Sequence, residues 1–260
     1  MIGIFDSGVG GLTVTRWVRQ AIPEASIIYV ADQGYAPYGN RPQWQLQQRC
    51  DHIADWLIGQ GAHLIVIACN TATAHCIDNL RDRLNVPIVG VEPGIKPAAL
   101  GSQKGSIGIL ATENTLASER YRTLAAKFNP ETLIINQPCP GLADAVEQGP
   151  DHPDIHRLLH TYVPGLAAAG IDRLVLGCTH YPLVADQIQA LAGDQITLID
   201  TGKAIAAEVK RRYQARPEPS VVRLITTAED DRLKGLVQSW PELSLSFAGA
   251  SFETAEDSLL

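Results

Sequence analysis

Two short apolar runs, each ending in a cysteine, constrain this chain more than anything else in it. Leu64-Ile-Val-Ile-Ala-Cys-Asn-Thr-Ala-Thr73 and Leu174-Val-Leu-Gly-Cys-Thr-His180 each pass through a thiol into hydroxyl or amide side chains and then a helical pattern. Such runs read as strands buried on both faces, the kind found in parallel sheets covered by helices. Each thiol then falls at the carboxyl end of a strand, where open α/β sheets bind their ligands. Amides at the helix start and the positive end of its dipole favour thiolate over thiol there. The alternative is that Cys69 and Cys178 are small core hydrophobes, as most buried thiols are. A pair of them in one context speaks against that.

At 260 residues, 45% hydrophobic and 19% charged, the chain supports one large domain or two small ones. A net charge of -7 gives no support to a nucleic-acid surface. The N-terminus enters a strand at Ile2-Gly-Ile-Phe5 without a basic and apolar leader. No apolar run nears the ~20 residues of a membrane span. The expectation is a cytoplasmic protein with neither a nucleic-acid nor a membrane partner. The cysteines, Cys50, Cys69, Cys76, Cys139 and Cys178, are odd in number and irregular in spacing, which suits reduced thiols. Zinc is the competing explanation, through Cys69, His75, Cys76, Cys178 and His180. Without a Cys-x2-Cys pair, and with the two thiols on separate strands, no metal is expected.

Along the chain, Ile2 to Val14 reads as a strand, a glycine-rich turn and a helix from about Gly11 to Ala21. Gly8, Gly10 and Gly11 suggest an anion cradle, a tight turn being the alternative. The dinucleotide fingerprint fails, since Thr13 stands where a third glycine belongs. Asp6 and Ser7 set an acceptor and a hydroxyl at the strand end. The loop Asp32 to Pro42, rich in aromatics and turn formers, reads equally as a ligand cover or a packed surface loop. A turn-rich crossing at Glu92 to Pro97 marks a boundary. Further on, a helix around Leu142 to Gln148 carries Glu147. The terminal portion reads as strands near Val221 to Thr226 and Leu243 to Phe247 around a helix from Glu229 to Trp240.

Ile107-Gly-Ile-Leu110 repeats Ile2-Gly-Ile-Phe5 at an offset of 105 residues, and Cys178 follows Cys69 by 109. These offsets suggest a duplicated unit. The fold class expected is α/β, with two similar α/β domains of mostly parallel sheet and the active site in the cleft between them. The first domain would span 1–94 plus 204–260 and the second 95–203. Under this overlay Ala111 takes the place of Asp6, leaving His180 as the second thiol's helper.

Opposed thiols can take a proton from one face of a bound carbon and return one to the other. Asn70, Thr71, Thr179, Ser7 and the turn amides would hold the substrate, and Asp6 and His180 would control the protons. An acyl-transfer enzyme using Cys178 and His180, and a non-catalytic carboxylate-binding module, remain open.

Five segments make the resemblance specific: FDSGVGGLTV (Phe5 to Val14), YAPYGNRP (Tyr35 to Pro42), IACNTATA (Ile67 to Ala74), VEPGIKPA (Val91 to Ala98) and LGCTHYPL (Leu176 to Leu183). They resemble, in order and over nearly the whole chain, those of the glutamate racemase family within the cofactor-independent aspartate/glutamate racemase superfamily. The resemblance implies interconversion of L- and D-glutamate without a cofactor or metal, supplying D-glutamate for peptidoglycan. Cys69 and Cys178 would be the two acid/bases, Cys178 acting on L-glutamate and Cys69 on D-glutamate. Asp6, Ser7, Tyr38, Gly39, Asn70, Thr71, Thr179 and His180 match the family's substrate-binding positions, and Glu147 an auxiliary acidic one. The partner implied is L- or D-glutamate, and a homodimer is left open. Aspartate racemisation is the nearest rival within the superfamily.

Overall fold

The computed structural model describes residues 1–128, 130–217, 219–228, 232–256 and 258–260. The chain opens with β1 (Ile2–Asp6), α1 (Leu12–Ala21), β2 (Ile27–Ala31), α2 (Gln43–Gly59), β3 (Leu64–Ile67), α3 (Asn70–Arg83) and β4 (Ile88–Gly90). It continues through α4 (Ile95–Gly101), β5 (Ser106–Ala111), α5 (Glu113–Ala117), α6 (Glu119–Ala126), β6 (Leu133–Pro138), α7 (Leu142–Val146), α8 (Pro153–Ala168), β7 (Arg173–Leu176), α9 (Ala185–Ala192) and β8 (Thr197–Ile199). It ends with α10 (Gly202–Arg212), β9 (Val222–Thr226), α11 (Arg232–Ser239), α12 (Pro241–Ser246) and β10 (Ser251–Thr254).

Among the described residues the strands form two parallel sheets, ordered β10-β9-β2-β1-β3-β4 and β6-β5-β7-β8. Four strands of the first sheet, β2-β1-β3-β4, and all of the second, β6-β5-β7-β8, share one winding, with the next strand in sequence on one side of the first and the strand leading to the cysteine on its other side. The repeat suggested by the spacing is therefore present in the topology. β1 and β3 are buried along their whole length, as expected of strands covered on both faces. β1 runs beside β3 with Phe5 opposite Ile67, which places Asp6 and Cys69 at adjacent strand ends. β5 runs beside β7 with Leu110 opposite Leu176, so Ala111 and Cys178 repeat that arrangement. In both sheets the site residues leave the carboxyl ends.

Three apolar clusters fill the interior. One belongs to the first sheet and includes Phe5, Tyr38, Ile67 and Cys69. Another belongs to the second and includes Ile95, Ile107, Tyr121 and Val175. The largest joins both, packing Val9, Leu12 and Val18 of the α1 region with Val146, Tyr181, Val184, Ala206 and Val209. α10 lies along α1 and returns the chain to the first sheet.

The strand expected at Leu243 to Phe247 is instead α12, and the closing strand is β10. Leu243 and Phe247 are buried while Leu245 between them is 83% exposed. Leu-Ser-Leu-Ser-Phe therefore alternates in sequence yet buries every fourth residue, the helical spacing, behind Pro241 at the helix start. The helix expected from Glu229 is described from Arg232; residues 229–231 lie outside the described residues. Among the described residues no helix is long and apolar enough to cross a membrane.

Candidate active site

One cavity of about 60 Å³ has both Cys69 and Cys178 in its wall, together with Ser7, Tyr38, Gly39, Asn70, Thr71, Thr179 and His180. Wider depressions occur elsewhere, the largest about 810 Å³ beside Arg16 and Trp17, but none of those described has a thiol in its wall. Cys69 is backed by the first sheet's cluster and Cys178 by the shared one, so the sulfurs enter from different elements. At this size the cavity is under half the ~150 Å³ that holds benzene in a protein interior, so an amino acid enters only if the walls part.

Asp6 does not reach the cavity surface. It is fully buried behind it, accepting from Ser7 Oγ at 3.0 Å and the Gly8 amide at 3.1 Å on one oxygen, and from Thr179 Oγ1 at 2.7 Å on the other. Burial pushes its carboxyl up, against His180 and these three donors. Asp6 thus ties the segment after Cys178 to the first strand. Thr13 adds a second tie, donating to the carbonyls of Gly10 at 2.8 Å and Thr179 at 3.0 Å.

Cys69 caps α3 with an extended backbone, and Asn70 begins the helix. The amides at the helix start favour thiolate as expected, but other influences are larger here. Burial and the nearby Asp6 raise the thiol well above its ordinary value, outweighing the amides of Ala72 and Thr71 that act the other way. Cys69 therefore rests protonated, a proton donor facing the cavity.

His180 Nδ1 lies 3.6 Å from Cys178 Sγ, and its Nε2 lies 2.6 Å from Glu147 Oε1. Burial works against the charged ring, but the hydrogen bonds and charges of Cys178 and Glu147 carry it well above the ordinary histidine value. A protonated ring donates from both nitrogens, to the sulfur and to the carboxylate. Burial likewise opposes the Glu147 carboxylate, yet His180, Gln33 and the Val9 amide hold it below its ordinary range. Gln33 Nε2 donates to its Oε2 at 3.0 Å, and the Val9 amide donates to its Oε1.

The glycine turn lies against the protein's own Glu147, which accepts from the Val9 amide. A Cβ on Gly8 would stand 1.9 Å from Glu147 Oε1, and one on Gly10 would stand 2.6 Å from the His180 ring. Since the obstructed atom at Gly8 is the free end of a flexible side chain, Gly8→Ala is expected to fold but displace Glu147. Thermal stability should fall near neutrality as the Glu147–His180 contact is lost, and kcat/KM should fall on the order of a hundredfold through the misplaced His180. Unchanged kinetics would show that Glu147 does not need its place.

The 32–42 loop reaches the cavity and has a buried anchor. Ala36, Pro37, Tyr38, Gly39 and Asn40 line the cavity. Behind them Asp32, fully buried, accepts from Tyr38 Oη at 2.7 Å, Thr227 Oγ1 at 2.9 Å and Arg49 at 2.6 and 2.9 Å. Across the cavity mouth Thr71 Oγ1 meets Thr112 Oγ1 at 3.0 Å and Thr115 Oγ1 at 3.3 Å. Asn114 Nδ2 donates to the carbonyls of Tyr38 at 3.4 Å and Arg41 at 3.2 Å, and its own carbonyl meets His75 Nε2 at 3.2 Å.

Sequence reasoning did not identify Gln33, Thr112, Thr115 or Asn114, nor the depth of Glu147. Thr112 had a local signal as the N-cap of α5, accepting from the Thr115 amide, but nothing local says what it faces. Of the residues considered as zinc ligands, His75 is engaged at Asn114 and Cys76 is buried in the first sheet's cluster.

The Asp/Glu/Hydantoin racemase family model matches residues 12–209. Glutamate racemase from Cupriavidus pinatubonensis is 49% identical over 212 residues, covering 81% of this chain and 78% of that protein. Among solved structures, glutamate racemase isoform RacE1 from Bacillus anthracis superposes with a TM-score of 0.86 at 28% identity, covering 99% of this chain and 98% of that one. Escherichia coli glutamate racemase, in complex with L-glutamate and an activator, superposes with a TM-score of 0.84 at 30% identity, covering 97% of each.

Proposed function

Since the chain belongs to the Asp/Glu/Hydantoin racemase family, we propose that it is a glutamate racemase working by two opposed thiols, with residues 1–94 and 204–260 forming one domain and 95–203 the other. The observation that carries this reading is a single cavity walled by Cys69 and Cys178 from the corresponding ends of two like-wound sheets.

In the L-to-D direction Cys178 takes the α-proton, its negative charge balanced by protonated His180. The electron pair left on the α-carbon delocalises into the substrate carboxylate, seated against the cavity wall formed by Ser7, Asn70, Thr71 and Thr179. The Cys69 thiol then gives its proton to the opposite face, which leaves D-glutamate, a Cys69 thiolate and a Cys178 thiol. The reverse direction exchanges the two roles. Tyr38 and Gly39 close the cavity over the substrate. Asp6 and Glu147 are positioning residues, the first acting through Thr179 and Ser7 and the second through His180. No cofactor takes part in this scheme. Its product would serve peptidoglycan synthesis in the cytoplasm.

Incubation with L-glutamate in heavy water tests this directly. The expected result is a decay of circular dichroism to zero, with deuterium entering the α-carbon of the D-glutamate formed. Constant optical activity, or inversion that retains the original hydrogen, would rule out the two-thiol reaction.

A further inference from the structure

Away from the cavity, α8 carries two imidazoles that the racemase scheme does not use. His156 and His160 are spaced one helical turn apart and both are exposed. Their ring centroids lie 4.2 Å apart and their Nε2 atoms approach to 3.0 Å. At that separation one nitrogen presents a lone pair to the other. Ile155, Leu158 and Leu159, all buried, anchor α8 and hold the backbone bearing the pair. Neighbouring groups are turned elsewhere. Arg157 Nε lies 2.8 Å from Asp154, and His152 caps the helix through Nδ1 toward the Asp154 amide at 3.4 Å.

We infer that His156 and His160 form a two-nitrogen site for a first-row transition-metal ion, apart from the racemase cavity. The bite distance carries this assignment. With metal–nitrogen bonds of about 2.1 Å, ligands at 90° stand about 3.0 Å apart and tetrahedral ligands about 3.4 Å apart. The 3.0 Å separation lies within that range, so small rotations of the two exposed rings bring both lone pairs onto one ion. Both rings face solvent, so water completes the coordination. Among the described residues no group of three or more histidine, cysteine or carboxylate side chains is placed to hold a metal, so the grip is bidentate and its affinity modest.

Calorimetric titration of Ni²⁺ into the whole protein and into His156→Ala and His160→Ala tests the assignment, with Zn²⁺ as the comparison ion. Nickel is chosen because copper oxidises thiols. One saturable equivalent is expected in the unaltered protein, weakened about tenfold or more in each variant and bound less tightly as Zn²⁺. Racemisation in metal-free buffer should be the same in all three proteins. Nickel held by Cys69 and Cys178 would survive both substitutions, so equal affinity in the unaltered protein and the variants would overturn the site.

Discussion

Cys69→Ser and Cys178→Ser are each expected to abolish conversion of one glutamate enantiomer into the other, with the fold retained. A serine hydroxyl fits the space of the thiol but is far too weak an acid and base for either role. Removing one proton-transfer group costs roughly 10² to 10⁴ in rate, and inversion needs both in sequence. The two variants should differ in what remains. With Cys69 replaced, Cys178 can still lift and return the proton of L-glutamate, so deuterium would enter L-glutamate without inversion. With Cys178 replaced, that exchange should be confined to D-glutamate. Polarimetry with proton NMR in heavy water reads both outcomes. Turnover above about a tenth of normal in either variant would mean that the thiols do not act as a pair.

Glu147→Gln is expected to have the next largest effect, a drop of about a hundredfold in kcat/KM and an alkaline limb moved to lower pH. His180 is raised in the folded protein by Cys178 and Glu147 against burial. Its stabilisation is therefore complete below its ordinary value of 6.5 and is lost as pH rises through the raised value. Glu147 is lowered, so its contribution is present above its ordinary 4.5 and is lost as pH falls through the lowered value. The pair therefore works across neutrality and beyond it on both sides. Without the carboxylate, His180 should lose its proton at lower pH. In thermal unfolding, the gap between the two proteins should be widest near neutrality and narrow at both extremes. A pH–rate profile unmoved by the substitution would detach Glu147 from His180.

The legible part of this molecule is what short-range pattern encodes. Apolar runs of buried parallel strands announce themselves, and a cysteine directly after such a run can only stand at a strand end. The repeat was visible for the same reason, through Ile2 to Phe5 against Ile107 to Leu110, and the shared winding of the sheets agrees with it. Periodicity misled where two periods coincide, at Leu243 to Phe247, where burial follows the helix. The glycine turn reads as an anion site, but the carboxylate lying against it comes from Glu147, 138 residues beyond Val9. Asn114, Thr112 and Gln33 carry no local mark because their partners lie far along the chain. The charge state of Cys69 is not legible in the sequence, because a helix-start argument counts amides and dipole, whereas burial and Asp6 enter only with the tertiary structure.

The two edges of the cavity are glued differently, and this sets the direction in which glutamate gets in. Along α1 and α10 a continuous apolar cluster crosses from one sheet to the other. At the Thr71, Thr112 and Asn114 edge polar groups cross, the Arg120–Asp78 ion pair at 3.0 Å among them, and the neighbouring apolar clusters stop on their own sides. Water replaces a hydrogen bond at a net cost of about 1 kcal/mol, whereas baring apolar surface costs about 25 cal/mol for every Å². The molecule thus has a spine and a fore-edge, and it should turn on the greasy spine each time a substrate is exchanged.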